Sequence, residues 1–172
     1  GFGTTGSDVS MSNLVSNAGV VATDVTGVGT ARYGVAACGY GEDKGIFGFG
    51  NGGGSDTAVT NLVSNVGVVA TDTTGVGTAR ATPAACSYGE DKGIFGYGNG
   101  GGNLSMTNLV SNAGVVATDV TGVGTVRSYL AACSYGEDKG IFGFGTPGPT
   151  AVTNLVSNAG VVATDTTGVG TA

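Results

Sequence analysis

One stretch occurs four times in this chain. Thr107-Asn-Leu-Val-Ser-Asn-Ala-Gly-Val-Val-Ala-Thr-Asp-Val-Thr-Gly-Val-Gly-Thr125 returns almost unchanged from Ser12, from Thr60 and from Thr153. Between the copies lies a second constant block, Ala131 to Gly145, with counterparts at Ala36 to Gly50 and Ala84 to Gly98. A period of about 47 residues demands a repeat architecture before any other. A unit of that size cannot bury both of its faces alone, so it must stack on its neighbours. The chain divides into segments 1–47, 48–95 and 96–142 and an incomplete 143–172. Because Gly1-Phe2-Gly3 aligns with Gly48-Phe49-Gly50, we expect the array to be part of a longer one.

Val, Thr, Gly and Asn dominate the period, and no apolar stripe recurs at helical spacing, so the expectation is all-β. The 36 glycines lack collagen spacing and recur at fixed places beside apolar runs, as turns between short strands do. The third period reads as four antiparallel strands. Strand one is Leu130–Gly136, and Gly136-Glu-Asp-Lys-Gly140 makes a hairpin tip. Strand two is Gly140–Gly145, where alternation sets Phe142 and Phe144 on one face and Gly143 on the other, with room for a ring to approach. A loop of varying composition follows. Strand three, Met106–Ser111, turns through Ser111-Asn-Ala-Gly114 into strand four, Val115–Asp119. Four-stranded units stack either as blades around an axis or along a rod; period and strand number favour a β-propeller, with a β-solenoid or cross-β fibre as the alternative.

Charge removes several function classes. Twelve acidic residues against six basic ones leave no positive stripe for a phosphate backbone, so nucleic acid is not an expected partner. No apolar run reaches the length of a membrane span. Cys38, Cys86 and Cys133 hold the same place in successive periods, too far apart for disulfides, whose Cα atoms approach within about 7 Å; they read as small buried hydrophobes. With no histidine and no clustered cysteines, neither a metal site nor a cofactor is expected. Asp72-Thr-Thr-Gly75 looks like an aspartic protease signature with one residue inserted, but its repetition in every copy makes it structural. Gly27-Val-Gly29 is followed by a strand and not by a helix N-terminus, which excludes a phosphate loop. No catalytic residue is assigned, and the chain is read as a non-enzyme.

Two sets of residues remain. Asp24, Asp72 and Asp119 are expected to bond backbone amides in the turn into Gly-Val-Gly, or to pair with Arg32, Arg80 and Arg127 of their own or a neighbouring repeat. Phe47, Phe95 and Phe142 complete this structural set. The other set is where the copies differ: Asn51, Ser55 and Asp56, then Asn99 and Asn103, in the loops after strand two, and Tyr33, Thr82 and Tyr129 in the triplets before strand one. These are candidate binding positions, weighed against neutral drift of exposed loops. Asn103-Leu-Ser105 is also a glycosylation sequon.

The order of a small-residue strand Ala131-Ala-Cys-Ser-Tyr, an apolar-aromatic strand Ile141-Phe-Gly-Phe-Gly, a variable loop, two further strands and Thr125-Val-Arg127 before the next small strand resembles the kelch repeats of β-propellers. It departs from that pattern where Phe or Tyr interrupts the glycine doublet and where Val115-Val116 stands near the place of the usual Trp. Repeats this uniform also resemble tandem arrays in hypothetical proteins of phages and large viruses. The resemblance implies a rigid disc whose loops contact protein or glycan partners. A minority of kelch relatives are copper oxidases, whose His and Tyr ligands this chain does not supply. The expected function is therefore a structural or binding module in a virion, an appendage or another extracellular assembly, its partners including further repeats or neighbouring chains. A filament-forming protein and, less favoured, a propeller enzyme are the alternatives.

Overall fold

A computed structural model describes residues 1–168, 170 and 171, so positions 169 and 172 of the last segment lie outside it. Among the described residues every regular element is a strand: β1 (Gly3–Thr4), β2 (Asp8–Val9), β3 (Ala36–Tyr40), β4 (Lys44–Gly48), β5 (Asn51–Gly52), β6 (Ser55–Asp56), β7 (Thr60–Val63), β8 (Ala84–Tyr88), β9 (Lys92–Asn99), β10 (Asn103–Val110), β11 (Ala131–Tyr135), β12 (Lys139–Gly143) and β13 (Thr153–Val156). The chain is all-β. Three antiparallel sheets form, in strand order β3-β4-β7, β8-β9-β10 and β11-β12-β13. Each sheet begins at a small-residue strand, and residues 1–32 contribute an outer ribbon ahead of the first.

Local sequence explains the tips. Tyr40 pairs with Lys44, leaving Gly41, Glu42 and Asp43 as a three-residue loop with Gly41 and Glu42 at φ 55° and 69°. Glycine takes that conformation freely, and the following glutamate is held there by the hairpin.

Strand four departs from expectation. Residues 115–120 touch β10 at two isolated bridges, Val110 to Val116 and Thr107 to Val120, so three steps along β10 answer to four along the outer segment. The extra residue breaks the ladder, as a bulge does. Asn108 fills the break: its Nδ2 donates to the Ala117 carbonyl at 3.0 Å and to Asp119 Oδ1 at 2.9 Å. Asn61 does the same with Ala70 and Asp72. The segments read as loops after strand two also differ from expectation, since β1–β2 and β5–β6 are hairpins of two-residue strands, and in the third period the hairpin merges into the ends of β9 and β10.

The alternation that put Phe142 and Phe144 on one face fails for a backbone reason. Phe49, Tyr97 and Phe144 stand at φ 62°, 62° and 64°, each followed by a glycine at φ 105–107°. That left-handed residue turns its ring to the other side of the sheet. Phe142 packs edge-on against Tyr97 of the preceding unit, centroids 5.3 Å apart, while Phe49 packs forward on Phe95 of the next at 5.2 Å. The glycines admit these rings as expected: a Cβ on Gly48 or Gly96 would stand 2.7 Å from the ring of Phe95 or Phe142.

The core is therefore divided among the joints between units. Tyr40, Ile46, Phe49, Phe95 and Val110 fill one joint, and Cys86, Tyr88, Ile94, Tyr97, Phe142 and Val156 the next. Two turn glycines dock on the tyrosine of the unit before them, Gly114 on Tyr40 and Gly160 on Tyr88, while Gly67 docks on Leu14 of the ribbon.

Candidate functional site

Two constellations stand out, a polar clamp inside every joint and a variable face at one end of the inner strands. The clamp is built around an arginine with no exposed surface. Arg32 donates from Nε to the Phe49 carbonyl at 2.8 Å, from Nη1 to the Thr30 carbonyl at 3.0 Å and from Nη2 to Asn61 Oδ1 at 2.7 Å, with its guanidinium 4.2 Å from the centre of the Phe2 ring. Arg80 donates from Nη1 to the Thr78 carbonyl and from Nη2 to Asn108 Oδ1 beside the Phe49 ring, its Nε left without a partner, and Arg127 donates from Nε to the Thr125 carbonyl, from Nη1 to the Phe144 carbonyl and from Nη2 to Asn154 Oδ1 beside the Tyr97 ring. The aspartates close the joint. Asp72 accepts the Thr30 amide at 2.9 Å and the Thr30 hydroxyl at 2.6 Å, 42 residues back, and Asp119 and Asp165 do so for Thr78 and Thr125.

The aspartates thus bond the amide of the preceding unit, not of their own turn. Asp119 lies 3.9 Å from Arg80, the joint's carboxylate–guanidinium contact, whereas Asp24 accepts only from Asn13 Nδ2 among the described residues and does not pair with Arg32. Burial pushes the Asp72 and Asp119 carboxyls up, but hydrogen bonds from Thr30 or Thr78 and from Asn61 or Asn108 outweigh it and hold both below the usual range. Burial draws Arg80 down to about 10, against the pull of Asp119. The threonines and asparagines of this clamp went unassigned in the sequence reading, although Asn13, Asn61, Asn108 and Asn154 stand before Leu-Val in all four copies. Phe95 and Phe142 are fully buried in the joints, while Phe47 is half-buried against Phe2.

The variable residues converge. In each unit the triplet before the inner strand pairs with the hairpin after the second strand, at bridges Tyr33–Asn51, Ala81–Asn99 and Ser128–Thr146. The middle residue of the triplet is left-handed every time, Gly34 at φ 61°, Thr82 at 53° and Tyr129 at 54°. Its backbone runs from unit to unit: the Thr82 amide donates to the Gly34 carbonyl at 2.7 Å and the Tyr129 amide to the Thr82 carbonyl at 3.2 Å. The three triplets and their three hairpins, with the first hairpin at 4–10 joined where the Gly53 amide donates to Asp8 at 3.1 Å, are seven variable segments on one surface, at the opposite end of the inner strands from the constant Gly-Glu-Asp tips. Tyr129 is 72 % exposed and Tyr33 41 %, and Ser55 is exposed, while Thr82 is half-buried. Tyr33 and Tyr129 are not equivalent; Tyr33 corresponds to Ala81 and Ser128. Four candidates serve the surface's own structure instead. Asn51 donates to Asp56, Asn99 to Asn103, and Asn103 both donates to the Thr146 carbonyl and accepts from Ser128 of the next unit.

Cys86 is buried and Cys38 partly so, with both thiols pushed up to about 12 by burial; Cys133 is exposed on the last sheet. A groove of about 740 Å³ separates the ribbon 12–22 from β4 and β7, lined by Leu14, Val15, Val20, Phe47 and Val63. Among the described residues no three metal-ligating side chains come together, and no helix is long and apolar enough to cross a membrane. No protein-family model and no curated protein sequence matches the chain.

Proposed function

We propose that this chain is a non-enzymatic display module, a kelch-like β-propeller array whose variable face contacts a protein or glycan in a virion or other extracellular assembly. The observation that carries the reading is the partition of variation. The segments that differ most between copies meet on one surface through the Tyr33–Asn51, Ala81–Asn99 and Ser128–Thr146 bridges, with single changes elsewhere such as Ala18 to Val66 and Gly39 to Ser87, while the Arg–Asn and Asp–Thr pairs of the clamp recur at every joint. A scaffold held by repeated buried contacts tolerates change at the loops that it positions, which is how rigid frames carry recognition. Adjacent inner strands packed unit against unit, as β3 and β8 are, suit blades around an axis.

The test is a chimera in which every unit carries the Ala81-Thr-Pro83 triplet and the Asn51–Thr57 hairpin, compared with the natural chain on a glycan array and in surface cross-linking to candidate proteins. We expect an unchanged melting curve and lost binding, and disc-shaped particles in negative-stain micrographs. Binding that survives the chimera removes the display role. The second reading, a filament-forming protein, is favoured by one observation, the exposed valine that every copy carries after its turn glycine, Val20, Val68, Val115 and Val161; fibres in the micrographs would select it.

A further inference from the structure

We infer that the variable face binds an uncharged oligosaccharide laid across successive triplets, with Tyr33 and Tyr129 stacking on its rings. The inference rests on the display reading above and names the class of ligand. The cations of the chain all lie elsewhere. Of the six basic side chains, Arg32, Arg80 and Arg127 have no exposed surface, and Lys44, Lys92 and Lys139 stand at the opposite end, each on the aspartate before it. The only charged residues of the seven variable segments are Asp8 and Asp56. A sulfated, sialylated or phosphorylated ligand would bring its anions to a face with two carboxylates and no cation to meet them.

What the face offers instead fits a sugar. An exposed tyrosine presents a flat apolar ring with a polar handle, which suits the CH face of a pyranose and one of its hydroxyls. Around Tyr33 and Tyr129 lie short polar side chains and open backbone: Ser55 is exposed, and a Cβ on Gly53, Gly54, Gly101 or Gly102 would meet nothing within 4 Å. Tyrosine among serine, glycine and asparagine combines rigid contact area with adaptable hydrogen bonding. Asp8 and Asp56 accept from the Gly53 amide at 3.1 Å and from Asn51 at 2.8 Å, and a carboxylate has further lone pairs for sugar hydroxyls. A protein partner asks for an apolar centre, yet the hollows beside Leu14, Leu109 and Leu155 contain no residue of this face. Spacing points the same way. The links from Thr82 to Gly34 and from Tyr129 to Thr82 set successive triplets about 5 Å apart, close to the step of one sugar along a chain. The face crosses the ends of the strands and not the ends of the array. The 51–56 hairpin is bonded by Asp8 at Gly53 on one side, the preceding Gly50 is bonded to Arg80 on the other, and Ser55 is still exposed, so further repeats lengthen this surface without covering it.

The experiment is titration calorimetry of the 172-residue chain with cellohexaose, maltohexaose, chitohexaose and galactohexaose, and with heparin and sialyllactose as charged counterparts. We expect at least one of the uncharged probes to bind, with an affinity that changes less than about twofold between low and high salt, and neither charged probe to do so. Tyr33→Ala and Tyr129→Ala should each weaken that binding at least about tenfold while leaving the melting temperature unchanged. Tyr129→Phe keeps the ring and should retain binding, and Lys92→Ala, at the opposite end, should leave it unaltered. Binding of a charged probe alone, an affinity that falls steeply with salt, or uncharged binding indifferent to both tyrosines overturns the inference. If no sugar binds while surface cross-linking still places a protein on the segments of Tyr33 and Tyr129, the inference fails and the display reading stands; if neither occurs, both fail.

Discussion

A guanidinium with no exposed surface is tolerated at each joint because its charge is spread over fixed acceptors and an aromatic face rather than over one carboxylate. Arg80 has Asn108 Oδ1 at 2.6 Å, the Thr78 carbonyl at 3.1 Å and the Phe49 ring centre at 3.9 Å, with Asp119 at 3.9 Å. Removing it strands those acceptors in a dry joint, so Arg80→Met should cost about 3 kcal/mol in urea unfolding. Arg127→Met should cost a similar amount, whereas Lys44→Ala at an exposed tip should cost less than about 0.5 kcal/mol. A second expectation concerns the thiols. A maleimide should label Cys133 in the native chain and leave Cys38 and Cys86, whose thiols burial pushes up to about 12, until the chain unfolds. The arginines and aspartates of the clamp were legible as polar residues that recur at fixed places. Their partners were not, since Arg32 reaches Asn61 and Asp72 reaches Thr30 across a joint that no single period contains.

At the scale of the strand, small residues decide how closely two sheets approach. Gly96 lies under the Phe142 ring, and its replacement by Ala forces that ring from a packed position, at about 1–3 kcal/mol. Gly102, which has nothing within 4 Å and no left-handed φ, should accept Ala at no cost or with slight stabilisation, and paired melting curves check the contrast. Strands one to three were legible because their alternation and bounding glycines are strong. The fourth was not, because its register slips by one residue between Val116 and Val120 and an asparagine on the neighbouring strand supplies the missing bonds. The opposed facing of Phe142 and Phe144 was hidden for a related reason: an aromatic residue at φ 64° has no propensity signal beyond the glycine that follows it.

For the whole molecule, stability is a sum over units and joints, and the joints respond to acid. Asp72, Asp119 and Asp165 titrate below their unfolded value, so they stabilise the fold wherever both states are ionised, above about pH 4, and that contribution is lost as pH falls through the lowered folded values. We expect circular dichroism to show unfolding that steepens below about pH 4, and Asp72→Asn with Asp119→Asn to start less stable at neutral pH and to lose less on acidification. The aspartates of the tips, beside Lys44, Lys92 and Lys139, are salt-screened and add little. The array and its stacking were legible in the period, and its all-β character in the Val, Thr, Gly and Asn that fill it. The one surface made by seven scattered variable segments was not, because it depends on pairing between residues about 18 apart in sequence and on amide-to-carbonyl links that pass from one period to the next.

The sameness of the joints has a further consequence for how such a chain changes over generations. Because every unit ends in the half-joint that the next one begins with, duplicating or deleting one whole period in the coding sequence creates no foreign interface; it moves the ends apart or together by one step. Near-identical segments invite such exchanges during replication, and each unit so added brings the joint that holds it and a surface ready to diverge.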